Sequence, residues 1–320
     1  MRMNSPGVRA LTLAVLLSLA ALGSGCARRA APPPPSPGVA ANPSSPAPAF
    51  PVTLVDSFKR RVTITKAPER IVSLAPGNTE ILFALGLGDQ VVGVTDHDDY
   101  PPEVKTKQGV GGFSDPSSEK ILALKPDLVV VVSEHQKVVE LLDSLAIPSL
   151  ALDPKNLEQV YGTITLLGQA TGRQAKAQEV IAQMKAKLQE ITSVVAKATT
   201  KPRVCYEVWA DPFMTAGPGT FIGDLITLAG GTNIAADATK SYPQYSLEAL
   251  VDRNPEIVIY ATAHATAEKI KARKGWSNIP AVKNGRIYGI DQNLVSRPGP
   301  RLVQGLEEFA RVIHPELFKQ

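Results

Sequence analysis

The chain has 320 residues, 44% of them hydrophobic, and a net charge of only +4, with 34 Lys and Arg set against 30 Asp and Glu. Basic residues so evenly offset by acids create no field that would draw nucleic acid, and no basic block interrupts the mixture. The two cysteines, Cys26 and Cys205, offer neither a disulfide framework nor a Cys-ligated cluster, so an apolar core has to hold the fold.

The first predicted element is a leader. Arg2 and Arg9 precede an apolar run from Ala10 to Leu22, and Gly23-Ser24-Gly25-Cys26 follows. This is a charged region, an apolar region and a small-residue cleavage site. The run falls short of the ~20 residues that a membrane-spanning helix needs. A cysteine directly after small residues resembles the lipobox of bacterial lipoproteins, with Gly23 where leucine is usual. The alternative is an ordinary signal peptide and an incidental cysteine. The expectation is a signal peptide over 1–25, lipidation at Cys26, and a semi-rigid tether over 26–51, whose proline density favours extended polyproline II.

From Val52 onward, short β-branched runs alternate with helical patterns, which predicts an α/β fold. "RIVSLAP" reads as a strand, "NTEILFALGLG" as a helix starting near Asn78, and "QVVGV" as a strand. "SEKILALKP" reads as a helix capped near Ser117, and "DLVVVV" as a strand buried on both faces. "VVELLDSLAIP" and "SLALD" add a helix and a strand. The pattern then repeats: "SSEKILALKPDLVVVV", from Ser117, lies over "SLEALVDRNPEIVIYA", from Ser246, without a gap. "NTEILFALGLG" pairs more loosely with "FIGDLITLAGG". Two lobes of like construction account for this, with mainly parallel sheets at their centres. Between them, residues 171–198 carry Val180, Ile181, Met184, Leu188, Ile191 and Val195 at helical spacing. A helix of about 25 residues reaches roughly 37 Å, enough to cross both lobes. The expected plan is therefore an N-terminal lobe over 52–170, one long backbone helix over 171–198, a C-terminal lobe over 199–320, and a ligand cleft between the lobes.

"VVGVTDHDDYPPEV" ends a strand by placing Asp96, His97, Asp98 and Asp99 in one loop. Carboxylate and imidazole suit a hard or borderline cation, but consecutive loop residues seldom converge on one ion. Four readings stand: a metal site, a catalytic site, a solvated turn and a cleft rim stiffened by proline. No nucleophile elbow, zinc-protease motif, phosphate loop or dinucleotide fingerprint supports an enzyme.

"ERIVSLAPGNTEILFALGLGDQVVGVTDHDDYPPEV", "KILALKPDLVV" and the mid-chain helix resemble the helical-backbone substrate-binding proteins of bacterial ABC importers. That family carries cobalamin, ferric siderophores or haem, and "DYPPE" at 99–103 is similar to its cobalamin-binding branch. The resemblance spans nearly the whole chain after the tether. It implies two α/β lobes with little hinge motion, a cleft ligand that is carried and not transformed, and no resident cofactor. The implied partners are a corrinoid, a permease dimer and a cytoplasmic ATPase. The protein is expected to be a monomer, held through its lipid to the outer face of a membrane or lying in the periplasm.

A corrinoid needs flat apolar walls and a few hydrogen-bonding groups at the rim. Loops after strands supply His97, Phe113, Trp209, Phe213, Tyr242, Asn293 and Arg297 as candidates. The resemblance puts Phe113 and Tyr242 where cobalamin binders have tryptophans. It puts Arg297 on their amide-binding arginine and Asn293 where aspartate is common. Pro76 and Gly77 would bring backbone close to the ligand. Against these stand bland roles: Phe113 and Phe213 as core, Trp209 as a lobe seal, Arg297 as a solvated or ion-paired charge. His97 could face the ligand or coordinate its cobalt. A haem cargo would instead want Tyr242 or His97 as axial ligand, and an anionic siderophore several arginines. A rival of another class is an exported metal-dependent enzyme or metal chaperone. Glu119 and Glu248 hold equivalent places at two predicted helix starts. Each alone suits a helix dipole, and as a pair they match the glutamates with which the family docks on permease arginines.

Overall fold

The structure is a computed structural model that describes residues 50–318. The expected signal peptide, Cys26 and nearly all of the tether lie outside the described residues. A hairpin of β1 (Val52–Val55) and β2 (Arg61–Ile64) opens the described chain. The N-terminal lobe follows with β3 (Ile71–Ser73), α1 (Pro76–Ala84), β4 (Val91–Val94), β5 (Gln108–Gly109), α2 (Ser118–Ala123), β6 (Leu128–Val131), α3 (Gln136–Ser144) and β7 (Ser149–Ala151). Its sheet is parallel throughout, in the order β5-β4-β3-β6-β7. All four residues of β6 are buried, as an unbroken aliphatic run requires when helices cover both faces.

α4 (Leu157–Thr171) leads through Gly172, at φ +69°, into α5 (Gln174–Val195). The expected helix over 171–198 is thus α5, shorter at both ends, because left-handed Gly172 closes α4 before α5 begins. The C-terminal lobe contains β8 (Arg203–Ala210), β9 (Phe213–Thr215), α6 (Phe221–Leu228), β10 (Thr232–Asn233), α7 (Leu247–Arg253), β11 (Ile257–Ala261), α8 (Ala267–Lys271), α9 (Pro280–Lys283), β12 (Ile287–Ile290), α10 (Asn293–Ser296) and α11 (Leu302–Ile313). Here the parallel order is β10-β8-β11-β12, with β9 folded back antiparallel on β8.

The two sheets share one plan: β4-β3-β6-β7 in the first lobe corresponds to β10-β8-β11-β12 in the second. The repeat seen in the sequence is this shared plan. Ser117 and Ser246 each cap their helix by accepting a backbone N–H, from Lys120 and Ala249. The turn before each repeated proline takes a left-handed residue, Lys125 at φ +48° and Asn254 at φ +53°. The acid after each proline then binds the start of the neighbouring strand. Asp127 accepts the N–H groups of Glu69 and Arg70 at 2.9 Å, and Glu256 accepts that of Arg203 at 2.9 Å. In return, Arg70 Nε donates to the Leu124 carbonyl and Arg203 Nε to that of Asn254, both at 2.8 Å.

α5 packs on α4 in the first lobe and on α11 in the second, burying Ala177, Val180, Met184, Ile191 and Val195. One apolar cluster runs from Ile71 and Val130 through this helix to Val204 and Ile259. Because this core is continuous across both lobes, a large movement of one lobe against the other would expose apolar surface now packed around α5. Cys205 is fully buried in β8, and burial pushes its thiol up to about 12. A maleimide probe therefore leaves Cys205 unmodified in the native protein and reacts after unfolding in urea, as peptide mapping will show. Prompt labelling of native Cys205 would contradict the packing.

Candidate ligand-binding cleft

Parallel strands deliver their loops to one edge, so the loops after β3, β6 and β7 meet loops of the second lobe across a cleft of about 530 Å³. Its N-terminal wall includes Pro76, Gly77, Asn78, Phe113, the Val132–Glu134 turn and Asp153–Lys155. The C-terminal wall includes Thr220, Phe221, Tyr242 and Ser296–Pro298. The starts of α1 and α6, equivalent helices of the two lobes, both line it. Thr220 caps α6 by accepting the Gly223 N–H at 3.0 Å. No side chain caps α1, whose first position is Pro76. The cleft-side start of α1 is therefore backbone open to a hydrogen-bond acceptor.

Gly77 is required by close approach, since a Cβ there would lie 2.9 Å from Pro298 Cδ of the other lobe. Asn78 is buried, and its Nδ2 donates to the Leu152 carbonyl at 3.2 Å. Its Oδ1 has no partner among the described residues. Two residues on, Glu80 is buried and receives Arg301 through two bonds of 2.9 and 2.5 Å and Arg297 at 3.3 Å. Arg297 also donates to Asp99 at 2.5 Å and to the His97 carbonyl at 3.0 Å. Glu80 and Asp99 belong to the first lobe and both arginines to the second, so this network ties the lobes together.

The Asp96–Asp99 loop divides its side chains among separate tasks. Asp98 turns inward to accept the Thr95 N–H at 3.0 Å and the Thr95 hydroxyl at 2.6 Å. Burial pushes its carboxyl above the usual range, against the hydrogen bonds of Thr79 and Thr95. Asp99 turns to the second lobe. Burial works against its charge too, but the hydrogen bond and charge of Arg297 outweigh it and hold the carboxyl below the usual range. His97 and Asp96 are exposed. Among the described residues no three His, Cys, Asp or Glu side chains converge as a metal set.

Of the residues expected at the ligand, the structure gathers Pro76, Gly77, Phe113, Tyr242 and Arg297 around the cleft. Four others are not among its lining. Phe213 turns into its own lobe and packs edge-on against Trp276 at 5.5 Å. Trp209 is exposed, meets His264 edge-on at 5.9 Å and donates its indole N–H to the Asp211 carbonyl. Asn293 donates to Asp99 at 3.3 Å. His97 contributes its carbonyl to the lobe contact while its ring stays outside the cleft lining. Glu119 and Glu248 lie exposed in the first turns of α2 and α7.

Sequence reasoning overlooked Asn78, Glu80, Lys155 and Arg301. The signal for Glu80 was a carboxylate inside "NTEILFALG", where a buried helix has no use for an unpaired charge. A second hollow of about 670 Å³ lies between α1, residues 100–107 and Pro300–Gln304, where Arg301 stacks on Tyr100 at 4.0 Å. It is roomier than the cleft. The cleft is the better ligand site because it lies at the carboxyl ends of the strands of both sheets, where open α/β folds bind.

Comparison with known proteins matches this architecture. A family profile described as periplasmic binding protein covers residues 71–294. The chain is 41% identical over 280 residues to an uncharacterized ABC transporter substrate-binding lipoprotein of Bacillus subtilis (strain 168), covering 85% of this chain and 88% of that one. It is 32% identical to a cobalamin-binding protein of Halobacterium salinarum (strain ATCC 29341 / DSM 671 / R1), covering 83% of this chain and 74% of that one. Among solved structures it is similar to a periplasmic heme-binding protein from Roseiflexus sp. RS-1 in apo form. That likeness has a TM-score of 0.72 at 28% identity, over 78% of this chain and 99% of the other.

Proposed function

Because the chain belongs to the periplasmic binding protein family, the substrate-binding components of ABC importers, we propose that its cargo is cobalamin or a related corrinoid. The observation that carries this reading is the charge balance of the cleft. Both cations in its lining already have carboxylate partners, Lys155 with Asp153 at 2.7 Å and Arg297 with Glu80 and Asp99. An anionic siderophore, or the propionates of haem, would need cations free to receive them. A corrinoid fringed with neutral amides needs aromatic surface and scattered donors and acceptors. Phe113 and Tyr242 supply surface from opposite lobes. The open start of α1 can donate to an amide carbonyl, and Asn78 Oδ1 can accept from an amide nitrogen. The cobalamin-binding relative from Halobacterium salinarum supports the same cargo.

On this reading residues 1–25 are a lipoprotein signal peptide, Cys26 carries the lipid and 26–51 form the tether that leaves the lobes free to meet a permease. Calorimetric titration of the purified protein with cyanocobalamin is expected to saturate at one site per chain, with no heat from a ferric siderophore. A second reading, haem, is favoured by Tyr242, a half-exposed phenol in the cleft that could ligate iron. Saturable hemin absorbance changes, with no heat from any corrinoid, would replace the first reading by the second.

A further inference from the structure

The internal repeat runs further than the helix-to-strand join. Residues 128–135, "LVVVVSEH", align without a gap on 257–264, "IVIYATAH", so each lobe carries one histidine at the same place after an equivalent strand. The two copies have different surroundings. His264 is exposed and meets Trp209 edge-on. His135 is buried at the back of the cleft's N-terminal wall.

Both ring nitrogens of His135 are bound to backbone of that wall. Nδ1 accepts the Val132 N–H at 3.2 Å, and Nε2 lies 2.7 Å from the Phe113 carbonyl. A backbone N–H can only donate and a carbonyl can only accept, so the ring is neutral with its proton on Nε2. The His135 N–H returns to the Val132 carbonyl at 3.0 Å, closing the turn that carries Ser133 and Glu134. The ring also meets Phe113 edge-on at 5.6 Å. Val132, Ser133, Glu134 and Phe113 all line the cleft. Phe113 follows Gly111 and Gly112; Gly111, at φ +114°, is bridged to Pro116 and accepts the Asp96 N–H at 2.9 Å, and the loop tip that carries Phe113 is tied to the Val132–Glu134 turn through His135.

We propose that His135 is a positioning residue for the ligand. Through its Nε2–H it holds the Phe113 loop against the Val132–Glu134 turn, and this sets the aromatic wall of the cleft before cargo arrives. A wall ordered beforehand loses less entropy on binding than one ordered by the ligand. The proposal deepens the corrinoid reading and rests on it for its binding arm alone.

The test separates the two ring nitrogens. In His135→Gln the side-chain amide can still donate from the ε position to the Phe113 carbonyl. In His135→Asn the oxygen at the δ position can still accept from Val132, but the reach to Phe113 is lost. The Asn variant is expected to bind cyanocobalamin about tenfold or more weakly than the parent and to exchange the amide hydrogens of 112–114 faster. The Gln variant is expected to stay within about threefold in both. Equal affinity in all three proteins, or an equal loss in both variants, overturns the proposal. If the parent binds no cyanocobalamin, the corrinoid reading fails and the exchange arm decides: faster exchange in Asn but not Gln supports the tie, and no difference refutes it. Should a variant not fold, imidazole ¹⁵N spectra of the parent decide, since a proton found on Nδ1 of His135 refutes the arrangement and one on Nε2 supports it.

Discussion

Replacing Glu80 by Ala is expected to cost roughly 3–5 kcal/mol of stability, the range for breaking a buried ion pair from one side. Glu80 is buried, and the side chains of Arg297 and Arg301 are each only 12% exposed. Without the carboxylate, two guanidinium groups face each other with Asp99 as the one remaining acid among the partners described, and it reaches Arg297 alone. Salt screens this poorly, because the two arginine side chains left behind are themselves largely shielded from water. Glu80→Gln keeps the shape and removes the charge, so its loss should lie between Ala and the parent. Urea unfolding followed by circular dichroism measures both. A loss below about 1 kcal/mol in the Ala variant would mean that the network contributes no more than surface ion pairs do. Because the arginines and the acids come from different lobes, the loosened protein should also show faster amide exchange at Gly77 and Gly299, where the lobes touch. Asp99 adds a pH dependence of known sign. Arg297 holds its folded-state value below the ordinary one, so its contribution is complete above that ordinary value of ~4 and is lost as pH falls through the depressed value.

The parts of the fold that were legible in the sequence are those set by local patterns. "DLVVVV" and "EIVIYA" are aliphatic runs between a proline turn and a polar loop, and both became central parallel strands. The Ser-x-Glu starts gave helices whose serines do cap them. The start of the linking helix was less legible, because only left-handed Gly172 and non-helical Arg173 separate α4 from α5. The site was legible in part, and the reason is visible in two phenylalanines. Phe113 and Phe213 both follow short turns after strands, yet one lines the cleft and the other packs on Trp276. Their directions depend on tertiary partners, His135 for one and Trp276 for the other, that no local pattern names. Arg297 was recognised as a cleft residue, but its commitment to Glu80 required knowing that α1 lies across from residues 297–301.

Reversing Glu119 and Glu248 together is expected to abolish cargo uptake in cells while leaving cargo affinity within about twofold. The two carboxylates occupy the same position of the repeat, the second residue of α2 and of α7, one on each lobe. Both are exposed, and neither lines the cleft. Glu248 is held below the usual carboxylate range by the backbone at its helix start and by Ser246, so it is charged at neutral pH. A single acid in the first turn of a helix has a sufficient explanation in the helix dipole. Two such acids related by the repeat put one exposed negative charge at the equivalent place on each lobe, which would suit docking to a permease of two-fold symmetry that carried positive charge at its mouth. The burial and packing of α2 and α7 do not depend on these side chains, so the Glu119→Lys, Glu248→Lys protein should still fold cooperatively, unfolding slightly below the parent because each lysine meets the positive end of its helix. Single reversals should slow uptake less than the double, since one correctly charged lobe still guides encounter. Docking of cyanocobalamin-loaded protein to permease in vesicles, measured at low and moderate salt, separates the possibilities. Normal docking by the double variant returns both residues to a purely helical role, and loss of cyanocobalamin binding by the soluble variant would show damage to the lobes themselves.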